Sequence, residues 1–169
     1  NYTTDHGLPH PLCQCIEEDS NGYIWVGSPG GLLRYDGVYF ELFNEKNTNL
    51  TVSNITALHQ NRDKKILWVG TKNGSICAVN TTDNSFVRVN YHSLHINPAG
   101  IGSISHIYQY SDSILLIATN RNGLMRINLG NLSISYINQK GDGDFQHLQV
   151  NNIHAIDRTT YVVAKQGIY

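Results

Sequence analysis

The sequence has little cysteine, proline or methionine: three, four and one in 169 residues. Three cysteines are an odd number and do not make a disulfide framework. Cys13 and Cys15 flank Gln14 on an expected strand and so share a face, while Cys77 lies far along the chain. All three read as small buried hydrophobes, because a Cys-x-Cys metal site would need further ligands at zinc spacing and none is evident. Charge is also scarce. Charged residues make up 15% of the chain and the net charge is −1 with the eight histidines neutral, so no strong field favours nucleic acid or an anionic membrane. No run of about 18 apolar residues could span a bilayer. The opening Asn1-Tyr2-Thr3-Thr4 lacks the basic start and apolar stretch of a signal peptide. Catalytic signatures are missing as well. There is no Gly-x-Ser-x-Gly, no His-Glu-x-x-His and no convincing nucleophile–base pair. No glycine-rich turn has the form of a phosphate loop.

What the sequence does contain is repetition. Tyr23-Ile24-Trp25-Val26-Gly27-Ser28-Pro29-Gly30-Gly31-Leu32 returns as Leu67-Trp68-Val69-Gly70-Thr71-Lys72-Asn73-Gly74. Looser copies are Leu116-Ile117-Ala118-Thr119-Asn120-Arg121-Asn122-Gly123 and Tyr161-Val162-Val163-Ala164-Lys165-Gln166-Gly167. Each is a short strand ending in small residues before a turn. In the first repeat, strands are expected at Leu12 to Glu17, Tyr23 to Ser28, Leu32 to Tyr35 and Val38 to Phe43, with turns at Asn21-Gly22 and Asp36-Gly37. The second repeat offers Ile55 and Leu58, Ile66 to Thr71, Ile76 to Val79 and Phe86 to Val89. The third offers Ile104 and Ile107, Ile114 to Thr119, Leu124 to Ile127 and Ile134 to Ile137. The fourth has Ile153 and Ile156, then Tyr161 to Ala164, and stops just after Gly167. An apolar-x-x-apolar opening recurs as Leu12/Cys15, Ile55/Leu58, Ile104/Ile107 and Ile153/Ile156.

Four short antiparallel strands in every 40–50 or so residues indicate a β-propeller. The second strand is apolar on both faces, as a blade packed between neighbours requires. A β-sandwich is the rival, but it does not require four-strand units to repeat in sequence. The expected organisation is a lead over 1–11, blade 1 over 12–43, and a linker with blade 2 over 44–90. A linker with blade 3 follows over 91–137, and a linker with a truncated blade 4 over 138–169. Propellers close with roughly four to eight blades, so about three and a half blades imply part of a larger, seven-bladed ring. The missing blades would come from the same propeller or from a second copy, with two-fold symmetry in any such dimer.

The first repeat carries Gly7-Leu8, then Glu18-Asp19-Ser20-Asn21-Gly22-Tyr23-Ile24-Trp25-Val26-Gly27-Ser28, then Gly31-Leu32-Leu33-Arg34-Tyr35-Asp36-Gly37. This resembles the two-component-regulator propeller repeat. The second repeat departs from it at Ser75 and at Ala78-Val79-Asn80, the third replaces the tryptophan with Leu116, and the fourth keeps Gly167 and the apolar run. The resemblance implies the periplasmic sensor of a hybrid two-component system of Bacteroides-type bacteria, which signals oligosaccharide binding to a histidine kinase outside this chain. It implies a homodimeric full sensor and no catalysis, cofactor or nucleic-acid contact in this region.

Residue by residue, structural roles come first. Trp25 and Trp68 sit among apolar neighbours at the repeat spacing and read as core more than as sugar-stacking platforms. Gly27 and Gly70, with Ala118 in the third repeat, read as sites of close backbone approach. Gly31, Gly74, Gly123 and Gly167 read as turn glycines. Ligand candidates are Lys72, Asn73, Arg121, Asn122 and Lys165, which lie in turns that share one rim and supply donors for sugar hydroxyls, carboxylates or sulfates. The linkers Asn44 to Asn49 and Tyr91 to Gly100 reach the same rim. The histidines show no metal spacing, His92 and His95 included, and Asp142 and Asp144 fall short of a calcium loop. A propeller lyase or hydrolase would need paired carboxylates, for which Glu17, Glu18 and Asp157 are the candidates. A protein-interaction scaffold is the other alternative.

Overall fold

The computed structural model describes residues 2–61, 65–89, 98–137, 148–156 and 159–169. It is all-β apart from a 3-10 turn, Thr4–His6, and one helical turn, α1 (Pro98–Ile101). Blade 1 is the antiparallel sheet β1 (Cys15–Glu18), β2 (Ile24–Ser28), β3 (Gly31–Tyr35) and β4 (Phe40–Phe43). Blade 2 is β5 (Ile55–Asn61), β6 (Ile66–Thr71), β7 (Ile76–Asn80) and β8 (Phe86–Arg88). Blade 3 is β9 (Ile104–Ser111), β10 (Ile114–Thr119), β11 (Leu124–Asn128) and β12 (Ser133–Tyr136). Blade 4 has three strands, β13 (Val150–Ile156), β14 (Thr159–Ala164) and β15 (Gly167–Ile168). Within every sheet the strands follow sequence order, and the first strands β1, β5, β9 and β13 pack on one another from blade to blade. This is the arrangement of a propeller, with first strands innermost.

One core lies in each interface between blades. Trp25, Leu32 and Phe43 of blade 1 meet Leu58, Leu67 and Val69 of blade 2. Trp68 and Ile76 of blade 2 meet Ile107 and Ile117 of blade 3, and Leu116 and Leu124 of blade 3 meet Ile153 and Val162 of blade 4. The second strand therefore sends alternate side chains to the blade before and the blade after, which accounts for its two apolar faces. On the far side of blade 1, Val26 and Leu33 are covered in part by Leu8 of the N-terminal lead. There an apolar groove of about 550 Å³ remains, lined by Tyr2, Ile16, Ile24 and Phe40 among others.

Three expectations shift in detail. Blade 1 opens with Cys13/Ile16 and blade 4 with Val150/Ile153, because Ile16, Leu58, Ile107 and Ile153 pair with the equivalent residues Val26, Val69, Ile117 and Val162. Leu12 and Ile156 are exposed instead. The fourth strand of blade 1 starts at Phe40 and not Val38, since the Asp36 carboxylate accepts the Val38 and Tyr39 amides at 2.8 and 2.7 Å and holds both residues in the turn. Cys13 is exposed ahead of β1, whereas Cys15 is half-buried and Cys77 buried. Burial pushes the Cys15 and Cys77 thiols up to about 12, as expected of inert thiols.

Candidate functional site

The inner strands are joined by a device that repeats. In blades 2, 3 and 4 the strand pairing skips one residue, Thr56, Ser105 and Asn151, as a β-bulge does. The Thr56 hydroxyl donates to the Ile104 carbonyl of blade 3 at 2.7 Å, and the Ser105 hydroxyl donates to the Val150 carbonyl of blade 4. Close to each bulge the preceding blade has a small residue. A Cβ on Gly27 would lie 2.7 Å from Ile55 Cγ2, and one on Gly70 would lie 2.5 Å from Ile104 Cγ2. In blade 3 the small residue is Ala118, buried in one core with the smaller Val150. Across these junctions glycine stands against isoleucine twice and alanine against valine once.

These bulges place a row of polar side chains along the inner strands. A groove of about 340 Å³ crosses blades 1, 2 and 3, and its polar lining is Gln14, Glu17, Thr56, His59, Ser105 and His106. Glu17 Oε1 accepts the Gln60 amide of blade 2 at 2.9 Å. His106 Nδ1 accepts the Ile153 amide of blade 4 at 3.0 Å, so the neutral ring carries its proton on Nε2. The His106 ring centroid is 6.4 Å from that of His154. Burial, with His59 and His154 nearby, pushes His106 down to about 4. Burial also lowers His59, against the pull of Glu17. Both rings are neutral at pH 7, and among the described residues no group of His, Cys, Asp or Glu is arranged to hold a metal.

Sequence reasoning missed this row. Metal spacing and local motifs are the wrong filter for it. The signal is that His59, His106 and His154 lie 47 and 48 residues apart, close to the repeat itself.

The rim residues are placed differently. Lys72 and Lys165 occupy equivalent turn positions, their amides donating to the Asn54 and Gln149 carbonyls at 3.0 and 2.9 Å, as Asn120 does to Ser103. Asn73 Oδ1 accepts the Thr71 hydroxyl at 2.6 Å, and Asn122 Nδ2 donates to the Gly100 carbonyl at 2.7 Å. Asn73 therefore holds its own turn and Asn122 ties its turn to α1, while Lys72, Arg121 and Lys165 are exposed cations. Among the described residues no hydrogen bond or ion pair joins any two of these five. The turns are closed by buried hydroxyls, with Ser28, Thr71 and Thr119 donating to the carbonyls of Gly31, Ser75 and Gly123. The turn glycines Gly31, Gly74, Gly123 and Gly167 all have positive φ, but Gly74 stands one residue earlier in its turn than Gly31 and Gly123. His92, His95, Asp142, Asp144 and Asp157 lie outside the described residues, as does most of the Tyr91 to Gly100 linker.

Residues 7–30 match the family model described as two component regulator propeller. No protein of curated function matches the sequence significantly. Among solved structures, the chain is similar to the extracellular domain assigned to the hybrid two component system BT3049 from B. thetaiotaomicron. The identity is 16% and the TM-score 0.79, over 96% of this chain and 23% of that one. A second B. thetaiotaomicron extracellular domain, that of BT4673, gives 20% identity and a TM-score of 0.75 over 99% and 22%. The computationally designed Ika4 protein matches at 15% identity and a TM-score of 0.63, over 94% and 90%. This chain spans under a quarter of the length of the two bacterial domains. The chain as a whole has a β-propeller fold, and its residues 7–30 match the two component regulator propeller model.

Proposed function

We propose that this segment belongs to the extracytoplasmic sensor of a hybrid two-component regulator, and that it recognises an oligosaccharide released from a glycan without transforming it. The observation that carries the reading is the match of residues 7–30 to the regulator propeller family. The axial groove supports the non-catalytic part. Glu17 is the one carboxylate among the groove residues, and glycoside hydrolysis needs two carboxyl groups flanking the bond. Bound sugar would act by favouring one arrangement of the sensor over another, and that difference in affinity is what a kinase across the membrane can read. Lys72, Asn73, Arg121, Asn122 and Lys165 form a second, rim-side contact surface in this reading. The faces of blades 1 and 4 that have no neighbour in this chain are covered by further blades or by a second copy, and the whole sensor is a dimer. Among the described residues no helix is long and apolar enough to cross a membrane, and in this reading the segment lies in the periplasm.

Calorimetric titration of the complete extracellular region against neutral and acidic oligosaccharides, with product analysis, tests the proposal. Saturable binding without turnover is expected. Turnover abolished by substituting a single carboxylate would replace the sensor with an enzyme, and no binding across the panel would point to a protein partner. The protein-scaffold alternative is less well supported, since among the described residues the turns that carry Lys72, Arg121 and Lys165 have no exposed large apolar side chain, although Val38 and Tyr39 are exposed in the turn between β3 and β4.

A further inference from the structure

The chemistry of the axial groove narrows what it can hold. Thr56 and Ser105 both use their hydroxyl protons on carbonyls of the next blade, so each offers the groove an oxygen with lone pairs and no proton. Glu17 adds a carboxylate held by the Gln60 amide through one oxygen. His106 contributes a single donor, Nε2–H, because its Nδ1 is occupied by the Ile153 amide. Gln14 and neutral His59, in the same lining, each bring donors as well as acceptors, and neither brings positive charge. His154 lies beyond His106 and is exposed, and the Cys15 thiol stays protonated. The lining is therefore rich in acceptors and carries one negative charge, that of Glu17.

We propose that the axial groove is a sugar site for units rich in donors and without negative charge. Neutral polyhydroxylated sugars bind there, amino sugars bind more tightly, and uronic or sulfated sugars are rejected. This deepens the sensor reading and rests on it. A sugar hydroxyl can donate to Thr56, Ser105 or Glu17, and an ammonium can do so with charge assistance. A carboxylate or sulfate brings only acceptors and meets Glu17 as a like charge in a partly desolvated setting. The rim cations Lys72, Arg121 and Lys165 offer the opposite chemistry, so two surfaces of one segment would discriminate by charge in opposite senses.

The test uses the complete extracellular region and three trimers with one β-1,4 backbone: cellotriose, its fully C6-oxidised uronate, and the glucosamine trimer. Binding is followed by saturation-transfer NMR at millimolar sugar and by calorimetry. The expected order is glucosamine trimer tightest, cellotriose next, and the uronate without measurable binding. Glu17→Gln keeps an oxygen for the Gln60 amide but removes the charge. It should weaken the glucosamine trimer about tenfold, admit the uronate and leave cellotriose within about threefold. A uronate that binds the wild-type protein more tightly than cellotriose overturns the assignment, as does binding of all three trimers unaltered by Glu17→Gln, or no binding by any of them. In each of those cases saturable binding in the broad oligosaccharide panel would leave the sensor reading standing, and its absence would remove that reading too.

Discussion

Blades 1 and 2 bury a tryptophan at the same register and surround it differently. Trp25 Nε1 donates to Asp19 Oδ2 at 2.8 Å, and Asp19 also accepts the Asn21 and Tyr23 amides through Oδ1. Arg34, opposite Trp25 on β3, lies 4.8 Å from the Tyr23 ring centroid, pairs with Glu41 at 2.6 Å and reaches Asn84 of blade 2 at 3.0 Å. In blade 2 the residue opposite Trp68 is Ala78, and Trp68 Nε1 has no partner among the described residues. Blade 3 keeps an arginine, Arg126, but has Ser135 where blade 1 has Glu41. All of them nonetheless build the same sheet. The polar ornament around the tryptophan is thus separable from the fold. What cannot vary freely is the junction, where a small residue on the second strand meets the first residue of the next inner strand.

The largest expected effect is at that junction. Gly70→Ala would set a methyl 2.5 Å from Ile104 Cγ2, and overpacking of this kind costs about 1–3 kcal/mol. Chemical denaturation should show that loss, and Ile104→Val should recover little of it in the double variant, because valine keeps the Cβ and Cγ2 atoms that lie 2.7 and 2.5 Å from the new methyl. Full recovery in the double variant would break this account, since it would place the strain on Cδ1 and not on Cγ2.

An effect of similar size is expected from the ornament itself. Asp19→Ala orphans a buried indole N–H and two turn amides and should cost about 1–3 kcal/mol. In a Trp25→Phe background the cost should fall by about 1 kcal/mol, because the indole contact is already gone. An unchanged cost would mean that Asp19 acts through the turn alone.

The smallest concerns pH and distinguishes blade 3 from its neighbours. His106 occupies the position filled by Cys15 in blade 1 and Ala57 in blade 2. Its folded pKa, about 4, lies below the usual 6.5, so between those values the unfolded chain binds more protons than the folded one. Stability should therefore fall as pH drops from about 6.5 towards 4. Melting curves across that range should show it, with His106→Gln flattening the slope. A slope unchanged in that variant would assign the acid sensitivity elsewhere.

These contrasts also explain what could be read from sequence. The second strands of blades 2 and 3 run over the expected Ile66–Thr71 and Ile114–Thr119, because apolar residues ending in a small one leave little choice of boundary. Phase was lost at the openings. Leu12 and Ile156 are as apolar as their correctly placed counterparts, and only pairing with Val26 and Val162 reveals that Ile16 and Ile153 hold the interface positions. The bulges at Thr56 and Ser105 have no local signature, since hydroxyl residues suit strands and turns alike. The axial row was hidden for a related reason. Its members come in pairs from three separate repeats, and the pairs become neighbours only when successive blades are stacked.

The bulge hydroxyls and the small-residue column link each blade to the next and to no other. Energetically such a molecule is a short linear chain of coupled units. Blades 2 and 3 have two couplings each, while blades 1 and 4 have one within this segment. Opening should begin at the ends and run inward, with the amides of β6 and β10 the slowest to exchange with solvent. A sugar lying across three inner strands would tie those couplings together, so its binding would be felt first as cooperativity between blades and not as movement of any one of them.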